Sequence, residues 1–224
     1  MCFSAPASFI AAAVIATAGV IAITKAKTTP QRVFAIIPLL FAVQQCIEGF
    51  LWIIIDKSDY GGLKHVLING FLFFAWLIWP VYVPVSMALL EKNKKNKKVL
   101  LIFLGIGILL FFCFLYIMLF QHSDASAARL HIKYTLDYIP PLPWIWGLIY
   151  LIPTVVSMFI SSISKMWLLG LINLASYIFS IIYFSGHVLS VWCFFGALTS
   201  VFVLFYTIRM ANPAKPVTPN DISS

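Results

Sequence analysis

The sequence predicts an all-α fold: a bundle of seven transmembrane helices, N-terminus outside and C-terminus cytoplasmic. Three observations predict it. Of 224 residues, 62% are hydrophobic and only 10% are charged, against roughly 45–50% and 25% in a soluble domain. The mean hydropathy of +1.00 leaves no polar shell with which to cover a water-facing surface. The apolar residues also fall in runs of about 20, the length that crosses ~30 Å of hydrocarbon at 1.5 Å per residue. Barrel strands would alternate polar and apolar residues, and these runs do not.

Each span follows from its own run. The first, residues 8–25, comes after a short and almost uncharged N-terminus. It lacks the basic leader of a cleavable signal and reads as a retained helix. The second, 33–55, is apolar except for its QQCIE segment. The third, 65–90, carries Pro80 and Pro84, which should kink or loosen its inner half. The fourth, 98–120, follows the basic tract EKNKKNKK, Glu91 to Lys98. A long polar segment from Gln121 to Pro143 precedes the fifth, 143–162. The centre of that segment, Arg129-Leu130-His131, is expected to form a short interfacial helix, with Trp144 and Trp146 anchoring re-entry. The sixth and seventh spans are 165–184 and 187–209. Residues 1–209 thus make one membrane domain, and the proline-broken 210–224 is expected to be a disordered cytoplasmic tail.

Basic residues choose the orientation. Lys25, Lys27, Arg32, the five lysines from Lys92 to Lys98, Lys165, Arg209 and Lys215 fall on one side, 11 of the 15 basic residues. Lys57, Lys64, Arg129 and Lys133 fall on the other. The positive-inside rule makes the richer side cytoplasmic. The net charge of +8 therefore reads as loops held at an anionic leaflet. No base-stacking platform accompanies the lysines, so nucleic acid is not an expected partner. The expected location is a bacterial cytoplasmic membrane, and the sequence leaves a homo-oligomer open.

The sharpest chemical signal is QQCIEGFLW, residues 44–52. Glu48 is the one acid well inside a predicted hydrocarbon region, where a carboxylate costs about 2.5–3.5 kcal/mol on insertion scales. Helical spacing puts Gln44, Gln45 and Trp52 on its face, about seven residues, or ~10 Å, below the outer end. Two roles fit Glu48: a functional acid, or a hydrogen-bonded strut between helices. His187, in SGHVLSVWC, stands at the end of a polar stripe of Asn173, Ser176, Ser180 and Tyr183. Cys193 lies deeper and reads as packing.

Cys2, in MCFSAPASF, cannot be a lipoprotein cysteine, because no apolar stretch and small-residue box precede it. With Met1 removed, its amine and thiol would form a chelate on the same side as His65 and His187. Zinc or copper suits such a set together with Glu48. A disulfide to Cys46 or Cys193, or a terminal plug with Phe3 seated in the bundle, are the other readings.

MCFSAPASF, IPLLFAVQQCIEGFLW and HVLSVWCFF, three separated segments in order, resemble a bacterial family of multi-pass membrane proteins of unknown function. The resemblance implies membership but no catalytic residue. The seven spans are also similar to those of the membrane hydrolases that include alkaline ceramidases, which hold zinc with three histidines. The paired His-x-x-x-His of their last helix is missing here, and only His187 lies near that region.

The expected function is a metal-assisted membrane hydrolase, or a ligand-binding protein, with a site open to the outer face. Glu48 and His187 are its expected catalytic residues. Gln44, Gln45, Trp52, Ser180 and Tyr183 would bind a small-molecule or lipid-like ligand, and Cys2, Glu48, His65 and His187 a metal, zinc or copper. A proton-coupled or small-solute transporter using Glu48 is the rival class. A non-catalytic sensor or assembly factor using the Gln121–Pro143 loop is the third.

Overall fold

A computed structural model describes residues 4–128, 131–137 and 143–212. Among the described residues six helices are long and apolar enough to cross a membrane: α1 (Ala5–Lys25), α2 (Thr29–Ile54), α3 (Gly61–Leu90), α4 (Lys94–Phe120), α6 (Met166–Tyr183) and α7 (Val188–Ala211). Where the fifth span was expected stands a shorter apolar helix, α5 (Trp144–Ile160). Most of the expected tail, 213–224, and Cys2 lie outside the described residues.

Local chemistry sets the helix starts. Thr28 and Gln31 make a reciprocal capping box ahead of Pro30, so α2 begins directly after α1 ends. The Asn93 side chain accepts from the backbone N–H groups of Lys95 and Asn96, which starts α4 inside the lysine tract. Along α4, Ile102, Leu109, Phe112, Leu119 and Phe120 are more than half exposed. A face so apolar is suited to hydrocarbon and not to water.

Proline loosens α3 as expected, but one turn before Pro80: residues Phe73–Ile78 form a π-helical turn. In that wider winding each N–H reaches back five residues, as Trp79 does to Phe74. Pro80 has no N–H for the carbonyl of Ala75. The hydroxyl of Tyr150, on α5, donates to that carbonyl instead. A second π turn, Ile152–Val156, follows in α5 around Pro153. Helix α4 crosses here with no side chain between the backbones. A Cβ on Gly107 would collide with the carbonyl oxygen of Pro80, so the crossing admits only glycine.

The short helix expected at Arg129-Leu130-His131 falls mostly outside the described residues, and the described polar segment between α4 and α5 is extended on both sides of it. It contains an antiparallel hairpin of β1 (Ser123–Ala128) and β2 (His131–Leu136), paired from Ser123↔Leu136 to Ala128↔His131; Arg129 and Leu130 themselves lie outside the described residues. The fold is therefore helical with one two-stranded element. The reason is period-two burial: Ala125 and Ile132 are buried in the core, while Lys133 and Thr135 alternate with more buried neighbours and stay exposed. Ile132, Tyr134 and Thr135 are also strand-favouring residues. Tyr134 stacks on Phe71 of α3 at 4.6 Å, and Lys64 pairs with Asp124 at 3.0 Å.

The core divides along the bundle. Leu51, Phe71, Leu72 and Ile132 pack at the hairpin end; Phe34, Met87, Leu100, Met166 and Val203 pack at the lysine-rich end. At the latter, the buried Glu91 carboxylate ties two loops together. It accepts from Asn93 N–H at 2.8 Å, from Ser162 N–H at 2.7 Å, and from the Ser162 hydroxyl. Burial opposes its charge, but these donors outweigh burial and hold the carboxyl below its ordinary value. A depressed native pKa gives stability that is full above the unfolded value and is lost as pH falls through the folded one. Glu91→Gln is therefore expected to lower the thermal midpoint in detergent at neutral pH. The gap from wild type should narrow progressively below pH 4.5, the ordinary carboxyl value. A gap that ignores pH would rule this out.

Candidate functional site

Three residues of the predicted α2 face are fully buried together: Gln44, Gln45 and Glu48. Their i, i+1, i+4 spacing on one helix accounts for that. Opposite them on α7, the Ser190 hydroxyl donates to Glu48 Oε1 at 2.6 Å, and Gln45 Nε2 reaches Oε2 at 3.4 Å. Gln44 Oε1 accepts from the Trp79 indole at 2.9 Å, and Trp79 is itself stacked on Phe41. Gln45 Oε1, the Trp52 indole N–H and the Ser8 hydroxyl are buried with no hydrogen-bond partner among the described residues. Glu48 thus stands fully buried in a polar seam between α2 and α7.

The other predicted residues divide into separate groups. His187 precedes α7 and lies 5.4 Å from the ring of His131 on β2, which packs edge-on to Phe184. Burial lowers the pKa of both imidazoles; His187 adds to the effect on His131, and Lys133 to that on His187. His65 belongs elsewhere: it bonds Asn69 at 2.9 Å and stacks on His122, while Asn69 accepts from Ser123 of the hairpin. Ser180 is buried but donates to its own helix at Ser176. Tyr183 leaves the stripe and is 68% exposed. Cys46, Cys113 and Cys193 are free thiols. Among the described residues no three His, Cys, Asp or Glu side chains converge as a metal site; Cys2 is outside them.

Three cavities follow one another along the bundle. Beneath the hairpin lies one of about 280 Å³, lined by β2, Leu72, Trp76, His187 and Leu189. Trp76 and Leu189 also line the next, of about 290 Å³, with Phe114, Trp146, Tyr177 and Trp192. Tyr150, Trp192 and Cys193 are then shared with a third, of about 70 Å³, which runs toward Phe34 and Val203. The middle cavity is lined by Ala75 of one π turn and by Tyr150, next to the other. Neighbouring cavities thus share walls from the hairpin to the lysine-rich end.

The model of a family of unknown function, DUF6629, matches residues 1–218. The chain belongs to the DUF6629 family. No curated protein and no solved structure matches it. The DUF6629 match takes in all seven helices, so the Glu48 seam and the cavities both fall within the family region.

Sequence reasoning missed Trp76, Tyr150 and Trp192 as cavity walls. For Trp76 and Tyr150 the available signal was an aromatic residue close to Pro80 or Pro153, where helices open into wide turns; for Trp192 there was none. It also missed Ser190 as the partner of Glu48, although Ser190 lies in the quoted HVLSVWCFF segment. Ser190→Ala is expected to cost about 1–2 kcal/mol in detergent, because it removes a fully buried interhelical bond. Ser180→Ala, which removes a bond within one helix, should cost less. Thermal unfolding of the two variants side by side checks the ordering.

Proposed function

We propose that this DUF6629 protein is an integral membrane protein that binds an elongated lipid-like molecule, admitted at the hairpin end. The reading places it in a bacterial cytoplasmic membrane, N-terminus and hairpin outside, lysine tract inside. The observation that carries it is the row of cavities with common walls, whose middle member is almost wholly apolar and aromatic. Ligand sites of about 300–1,000 Å³ are characteristically concave, apolar and equipped with a few polar groups. The two larger cavities fit that description in sequence: polar groups beneath the hairpin, aromatic groups below.

In this reading Glu48 is a strut of the wall behind the cavities. Its bond to Ser190 holds α7 against α2, which keeps Cys193 and Trp192 in place one turn further along. The hydrolase reading would route chemistry through Glu48 and a zinc or copper ion on Cys2 and the histidines. The geometry lends that set less support, since His65 and His187 are engaged in separate groups.

Protein purified in mild detergent is expected to carry a lipid-like molecule, detected by mass spectrometry of a solvent extract. Leu189→Trp, which fills the wall between the two larger cavities, should reduce the retained amount about tenfold without unfolding the protein. Wild type that carries nothing and shows no thermal shift with any long-chain amphiphile sinks the binding reading. Stoichiometric zinc or copper that is lost in both Cys2→Ser and Glu48→Gln would favour the metal-assisted one instead.

A further inference from the structure

The cavity beneath the hairpin has a mixed lining. Leu72, Trp76, Ile132, Leu136 and Leu189 give it apolar surface, and Lys133, Tyr134, Thr135 and His187 bring polar groups to it. No aspartate or glutamate is among its lining residues in the described part of the chain. Asp124, the carboxylate on β1, is engaged by Lys64, and Lys133 has no ion pair among the described residues. His187 Nε2 is buried there with no hydrogen-bond partner among the described residues. Helix α7 starts beside it with no side-chain cap, so its first-turn N–H groups add positive potential. An ammonium, an imidazole nitrogen and uncapped backbone donors all favour an anion.

Beyond these polar groups the wall residues Trp76 and Leu189 lead into the aromatic cavity of Trp146, Tyr177 and Trp192. That second compartment suits a hydrocarbon chain and has no charge to offer a polar one. Resting on the binding reading above, we propose that the ligand is an anionic amphiphile, its carboxylate or phosphate head beneath the hairpin at Lys133 and His187. Its chain runs past Trp76 into the aromatic cavity. The anion attracts the ammonium and accepts from the imidazole, while the chain displaces no well-bonded water from an apolar space.

The test uses the full chain in non-ionic detergent and probes with one common chain: hexadecanoate, hexadecyl phosphate, hexadecanol and hexadecyltrimethylammonium, with inorganic phosphate alone. Binding is read from tryptophan fluorescence. At least one anionic probe is expected to bind about tenfold tighter than hexadecanol, a difference of the size one charge-assisted contact gives. The tighter anion identifies the head group. Lys133→Gln should reduce the preference to about threefold or less while leaving hexadecanol unchanged, and Lys133→Arg should restore most of it. Lys133 is exposed on its strand, so neither variant threatens folding. Equal binding of all four probes would overturn the anionic head and leave the binding reading standing. Inorganic phosphate as tight as hexadecyl phosphate would overturn the amphiphile. If none of the chain-bearing probes binds, both readings fall.

Discussion

Within hydrocarbon a backbone carbonyl without a donor costs several kcal/mol, and Pro80 places such a carbonyl at Ala75. The Tyr150 hydroxyl crosses from α5 to meet it, and much of the bundle's interior follows from that bond. It lets α3 keep a wide π turn in mid-helix and ties α5 to α3 at that turn. Tyr150 is thereby held by its hydroxyl, with its ring left to wall two cavities. On the far side, Gly107 brings the backbone of α4 directly onto Pro80. The hollow beside these turns therefore comes with the irregular winding and is not a lapse in packing.

The polar groups do two different kinds of work. In the Glu48 seam Gln44 bonds Trp79, Gln45 reaches Glu48 and Ser190 ties Glu48 to α7, so these groups fasten helices. Under the hairpin the polar groups instead border a cavity. Strand β2 brings Lys133 to its lining and the His131 ring against His187 at the start of α7, from a distant part of the chain. A two-stranded element is marginal alone; here it is steadied by Tyr134 on Phe71, by Lys64 and by Asn69.

What could be read from sequence was what has a period or a prohibition. Apolar runs located every helix, and α2 shows the face of Gln44, Gln45 and Glu48 that helical spacing dictates. An acid in an apolar run marked itself. The hairpin was illegible because its alternation is confined to six residues, HIKYTL, in an otherwise polar segment. The cavities were illegible for a different reason. In a membrane span an aromatic residue is at home against lipid or against a void, so Trp144, 62% exposed, and Trp76, on two cavity walls, look alike on paper. Partner identity failed likewise: Ser190 and Glu48 are 142 residues apart, and no local rule connects them.

The lysine-rich end of the bundle is fastened by side-chain ties between segments distant in sequence. At the lysine-rich end Glu91 holds Ser162, Tyr206 holds the Lys165 carbonyl at 2.5 Å, Tyr82 holds the Val33 carbonyl at 2.8 Å, and Lys27 meets Asn212 at 3.0 Å. These ties join segments before, between and after the helices, much as a spine joins the leaves of a book. Chain segments as far apart as Lys27 and Asn212 are thereby held in one layer, and the thin hollow near Val203 lies next to it.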